Sequence, residues 1–103
     1  MRQPEPILQD LRAFSPVEED WRPLDELLSE LWAVGVREAD LPVLFGLFER
    51  FPDDDGAGVL WGIVHGLEAL PFDYEPALRI SLARRRSDMG EIMLRRLEKS
   101  RLR

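Results

Sequence analysis

The chain has no cysteine and no threonine, and a single histidine, His65, among its 103 residues. Without cysteine there is no disulfide, no thiolate nucleophile and no zinc–thiolate site. Serines are few. Ser15 and Ser87 stand where helices are expected to begin and read as caps, so nothing supports a Ser–His–Asp constellation. There is no glycine-rich phosphate loop, because Gly58, Gly62 and Gly66 fall within an expected helix and no strand precedes them. Long apolar runs are lacking too. The longest, Ala57 to Leu70, is interrupted by His65 and Glu68 and is too short to span a bilayer. Residues 1–14 hold one early arginine but no apolar core of signal-peptide length. These absences predict a cytosolic, non-catalytic protein that needs no cofactor or metal and touches no membrane.

What is present suits a single domain over residues 1–103. Apolar residues make up 45% of the chain and charged ones 33%, a globular rather than a disordered composition. A chain of this length buries about 65% of its unfolded surface, enough for one core without staples. The net charge of −6 is unevenly placed. Residues 1–78 carry 17 acidic and 5 basic side chains, whereas residues 79–103 carry 3 and 9. If the two parts do not interleave in space, the surface is dipolar, and its acidic part repels nucleic acid and attracts a basic partner.

Apolar spacing predicts an all-α fold of about six helices. Ile7, Leu8, Leu11 and Phe14 mark a first helix over Glu5 to Phe14. Ser15, Pro16 and Glu18 resemble a helix start with a capping box, cut short by Pro23. Leu24, Leu27, Leu28, Leu31 and Trp32 form the stripe of a second helix, Pro23 to Val34, with Gly35 as C-cap. Asp40 is expected to cap a third, with Pro42 in its first turn. It is apolar over most of its circumference and so central, and Pro52 ends it. A fourth covers Ala57 to Leu70, where the glycines at 58, 62 and 66 imply close approach of a neighbouring backbone. A fifth runs from Asp73–Pro76 to Arg85. A sixth begins at Ser87–Asp88 and carries Met89, Ile92, Met93 and Leu97 on one face, with a charged tail, Arg95 to Arg103, that frays. Antiparallel helix pairs suggest a compact array or a short HEAT-like stack.

The candidate contact residues fall in three groups. Glu18, Glu19 and Asp20 flank Trp21, which with Arg22 beside it is the tryptophan expected to be exposed; Trp32 is expected in the core. Asp53, Asp54 and Asp55 precede the fourth helix and complement its positive end. They lack the ligand spacing of a calcium loop. Trp61, His65 and Glu68 can share a helix face, either as a recognition patch or as a half-buried histidine bonded to Glu68 in the core wall. Arg84, Arg85 and Arg86 and the tail cations suit helix C-termini. They lack the interleaved aromatics of a nucleic-acid site.

The residue order from Leu44 to Gly56, running into Gly58–Glu68, then Tyr74-Glu75-Pro76, Arg84–Ser87 and Met93–Leu97, resembles a group of small helical bacterial immunity proteins. These are encoded beside polymorphic toxins delivered by contact-dependent or type VI secretion. The resemblance covers roughly residues 40–100. It implies a cytosolic antidote that binds one cognate toxin C-terminal domain and blocks its active site or substrate access, without catalysis. Immunity surfaces vary with the toxin, so no particular binding residue is carried over. The acidic first three-quarters suit a basic, nucleic-acid-targeting toxin such as a nuclease or deaminase; an ADP-ribosyltransferase fits too. Two other readings compete. One is a helical adaptor, monomeric or weakly self-associating through Trp21 or the Met89/Met93 face. The other is a carboxylate–metal enzyme at Asp53–Asp55 and His65.

Overall fold

In the computed structural model, which describes residues 2–101, the apolar stripes become six α-helices and the described residues form no strand. They are α1 (Pro4–Ala13), α2 (Arg22–Val34), α3 (Leu41–Arg50), α4 (Val59–Glu68), α5 (Glu75–Arg84) and α6 (Asp88–Arg101). Proline stands in the first turn of α1, α2, α3 and α5, where its missing N–H is not needed. Gly35 closes α2 as expected, its N–H bonding Leu31 O at 3.0 Å. The Ser87 hydroxyl accepts the Gly90 N–H at 3.1 Å and caps α6.

The core centres on α3, which buries Leu41, Leu44, Phe45, Leu47 and Phe48. It packs on α1, α5 and α6, while α4 packs on α2 and α6 and the sequence neighbours α1–α2 and α5–α6 pack on each other. The helices thus close around α3 into a globule with a Cα radius of gyration of 13.2 Å, close to the ~13 Å usual for this length. Fully buried Phe45 and Phe48 are each expected to cost about 3–5 kcal/mol on truncation to alanine.

Polar locks tie distant segments together. The Arg50 guanidinium donates to three carbonyls at the end of α1, Leu11 O at 2.6 Å and Arg12 O and Phe14 O at 2.8 Å. Of these, Leu11 O is otherwise met only by the Phe14 N–H, at 3.3 Å, and carbonyls at a helix end lack partners in the next turn. The Asp88 N–H bonds Pro52 O at 2.8 Å, so α6 begins against the end of α3. Buried Asp40 does not cap α3 with its side chain. It turns back on Arg37, accepting the backbone N–H at 2.9 Å and the guanidinium at 2.8 Å, and organises the 3-10 turn Glu38–Asp40 that leads into α3.

Several local expectations give way to tertiary packing. Ser15–Glu18 starts no helix. The segment is a tight turn closed by a bond from Asp20 N–H to Val17 O at 2.9 Å. The fourth helix begins only at Val59, with Gly58 left-handed outside it, and no backbone crowds Gly62. At Gly66 the close neighbour is the half-buried Trp32 indole, 2.5 Å from where a Cβ would stand. The tail does not fray over Arg95–Arg101, which stay helical; residues 102 and 103 lie outside the described residues.

The two charge regions interleave, so the conditional dipole does not arise. Arg84 reaches Glu49 at 3.7 Å, Arg86 reaches Asp53 at 3.6 Å, Arg96 grips Glu68 at 2.6 Å, and Arg101 meets Glu75. The basic C-terminal helices thereby neutralise part of the acidic region, and what remains acidic is localised.

Candidate functional site: two acidic turns on one aromatic cluster

Three aromatic residues from three segments meet at one edge of the core. Trp21 lies 5.1 Å from Phe51 in an edge-to-face arrangement and 5.8 Å from Phe14, centroid to centroid. Such geometry suits the ring quadrupoles. Trp21 is 7% exposed, which corrects the expectation of an exposed anchor. Its charged neighbours mark the turn it anchors, while the indole itself is covered by Phe14, Phe51 and Gly56.

Two acidic turns are built on this cluster. In the first, Val17–Asp20, Glu18 (φ 52°) and Glu19 (φ 60°) both lie in the left-handed region. This is the pattern of a type I′ turn, which ordinarily takes Asn or Gly at its two centres. In the second, Gly56 (φ 60°), Ala57 (φ 54°) and Gly58 (φ 90°) are all left-handed. The Asp54 carboxylate accepts the Gly56 N–H at 2.8 Å, and the Asp55 carbonyl accepts the N–H groups of Gly58 and Leu60. Of the three carboxylates only that of Asp54 bonds the loop backbone, and none of them caps α4 by a side-chain hydrogen bond.

All three positive-φ residues other than glycine in the described chain, Glu18, Glu19 and Ala57, belong to these two turns. Pro16, Glu19, Trp21, Phe51, Asp54 and Ala57 line one shallow groove between them. Sequence segments more than thirty residues apart are thus brought to one place. Within the described residues, Glu18, Glu19, Asp54 and Asp55 form no ion pair, whereas Asp53 faces Arg86 and Asp20 pairs with Arg22 at 2.8 Å. The Arg22 side chain and then its backbone N–H draw the Asp20 carboxyl down from 3.8 to about 2. Val17, 74% exposed, adds an apolar contact at the rim. Val17, Phe51 and Ala57 were not among the candidates read from sequence. A valine standing outside any apolar stripe is the one local signal that could have found Val17.

Trp61, His65 and Glu68 do not act as one triad. Half-buried Trp61 stacks on exposed His65, with ring centroids 6.0 Å apart and planes 26° apart. Glu68 turns to the Arg96 guanidinium, bonded at 2.6 and 2.9 Å. The half-buried histidine bonded to Glu68 is therefore corrected to a Trp61–His65 pair on the outer side of α4. Met89 and Met93 are buried with Trp21, so these residues offer no face for self-association. Among the described residues no three His, Asp or Glu side chains are disposed to share a metal ion, Asp53–Asp55 and His65 included. No described helix is long and apolar enough to cross a membrane.

No protein-family model matches the chain, and no curated protein or solved structure matches it.

Proposed function

We propose that this protein acts by binding, as a cytosolic immunity protein that neutralises a cognate toxin domain by covering its active site or its substrate access. The observation that supports this best is the pair of acidic turns. Two separate segments hold left-handed backbone, and together they present Glu18, Glu19, Asp54 and Asp55, none of them in an ion pair within the described residues, around an aromatic floor. Backbone strain kept at a surface that the core does not need is characteristic of functional contacts. Unpaired carboxylates speed the approach of a basic protein, and affinity then comes from a few buried anchors. Val17 and the exposed edge of Phe51 are suited to that second part.

A basic toxin domain, of the nucleic-acid-targeting kind, is the partner chemistry this surface favours. The helical adaptor is the second reading, favoured by the Trp61–His65 stack on the outer side of α4, beside exposed Gly62. The deciding experiment expresses the C-terminal domain encoded by the gene immediately upstream, in cells with and without this protein. Growth restored only in its presence, with co-purification of the two chains, supports the immunity reading. A harmless upstream product, or equal killing in both strains, moves the adaptor to first place.

A further inference from the structure

The second acidic turn is held at its tip and at its stem. At the tip, the Trp21 ring lies 2.9 Å from where a Cβ of Gly56 would stand. At the stem, the Pro52 carbonyl accepts the Asp88 N–H at 2.8 Å. Asp88 opens α6, and the first N–H groups of a helix have no partner within it. One of them is turned here on the residue from which the acidic loop departs. The start of α6 and the root of Asp53–Asp55 therefore form one joint.

Buried packing sets the direction of that N–H. Ser87 is 1% exposed, its hydroxyl accepts the Gly90 N–H at 3.1 Å, and its carbonyl accepts the Glu91 N–H at 3.0 Å, the pattern of an N-cap. A Cβ at Gly90 would stand 2.6 Å from the Ser87 hydroxyl and 2.8 Å from Leu82 Cδ2 of α5, so glycine lets the cap close tightly between α5 and α6. Arg86 adds ties from outside, reaching Asp53 at 3.6 Å and Asp88 at 2.9 Å and meeting Glu91. Its side chain is 62% exposed, and exposed pairs contribute little. The backbone bond is the principal tie.

We propose that the start of α6 is a positioning clamp for the acidic surface. The Asp88 N–H, aimed by Ser87, fixes the stem of the second turn. With its tip seated on Trp21, the turn then holds Asp54 at the groove it shares with Glu19. Ser87 and Asp88 are positioning residues that act through the turn. The inference deepens the reading of the acidic turns as a binding surface and rests on it, but the clamp itself is tested without a partner.

Amide hydrogen exchange of the full chain is followed at Gly56, Gly58 and Leu60, whose N–H groups close the turn. Asp88→Pro removes the one N–H that bonds Pro52 and places proline at the first helical position, where a helix tolerates it. Exchange at the three amides is expected to rise about three- to tenfold, the factor that one backbone hydrogen bond supplies, with core amides of α3 unchanged. Asp88→Ala keeps the N–H and loses the Arg86 pair, and is expected to stay within about twofold of wild type. Ser87→Ala keeps the N–H but loosens its aim, and is expected to raise the same amides by less than Asp88→Pro. Turn amides that exchange alike in Asp88→Pro and wild type, or as fast in Asp88→Ala as in Asp88→Pro, would overturn the clamp. A rise shared equally by the α3 amides in both Asp88→Pro and Ser87→Ala would overturn it too, because it marks general destabilisation. With the domain encoded upstream, Asp88→Pro is expected to dissociate about three- to tenfold faster than Asp88→Ala at an equal association rate, since the two variants carry the same charge. Equal dissociation would remove the clamp's role in binding. If wild type binds no such domain while the turn amides respond as expected, the immunity reading fails and the clamp stands.

Discussion

The Trp21 indole lies 2.9 Å from the position a Cβ of Gly56 would occupy, so the first acidic turn and the second are seated directly on each other. Gly56 is also left-handed, at φ 60°. Gly56→Ala therefore carries two penalties of the same sign, steric and conformational. A loss of about 1–3 kcal/mol in denaturant unfolding is expected, with the Trp21 fluorescence maximum shifted as the indole is displaced.

Glu18 and Glu19 occupy backbone positions that suit asparagine and glycine better. Replacing them together, Glu18→Asn with Glu19→Gly, is expected to stabilise the fold by about 0.5–1.5 kcal/mol in chemical unfolding, because left-handed strain is released. The same change removes two unpaired carboxylates and is expected to slow partner association. A variant that is more stable and binds more slowly identifies strain retained for contact rather than for folding.

Two glycines of α4 separate packing from propensity. At Gly66 the Trp32 ring leaves no room for a methyl group, whereas nothing lies within 4 Å of a Cβ at Gly62. Gly66→Ala is expected to destabilise by about 1–3 kcal/mol. Gly62→Ala is expected to stabilise by up to about 1 kcal/mol. Thermal unfolding of the two variants, run side by side, checks both signs.

Arg50→Met keeps the aliphatic stem but removes the donors that satisfy Leu11 O, Arg12 O and Phe14 O. A loss of about 1–2 kcal/mol is expected, since the site is partly open to water. Faster hydrogen exchange confined to the end of α1 and the following turn locates the effect.

The acidic side of the pH profile has a defined sign. The Asp20 carboxyl is depressed from 3.8 to about 2 by Arg22. Its contribution to the first turn is therefore complete above about pH 5 and is lost as pH falls through 2. Carboxyl-carbon NMR titration is expected to place its midpoint near the lower value, and Arg22→Gln to bring it only part of the way back, since the backbone N–H of residue 22 still bonds the carboxylate.

The helices were legible because each has a stripe of apolar residues at helical spacing, as with Leu24, Leu28 and Leu31, and because proline and glycine punctuate the ends. The site was legible in its charges and not in its geometry. Trp21 reads as exposed among Glu18, Glu19, Asp20 and Arg22, yet Phe14, Phe51 and Gly56 cover it, and none of the three is within six residues. Ser15–Glu18 carries a capping signature that the left-handed turn overrides. The Arg96 partner of Glu68 lies 28 residues away, so the competition that separates Glu68 from His65 leaves no local trace. Helix periodicity is a short-range signal, whereas ion-pair choice and indole burial are decided by contacts distant in the chain.

The most direct test of the central claim is the association rate of this protein with the purified domain encoded upstream, its proposed partner, measured by stopped flow at low and high salt. The comparison is between wild type and the variant Glu18→Gln, Glu19→Gln, Asp54→Asn, Asp55→Asn, whose amides keep the turn hydrogen bonds. The account predicts that the variant associates about 10- to 100-fold more slowly at low ionic strength and that the gap closes as salt rises. Equal rates for the two proteins at every salt concentration would contradict it.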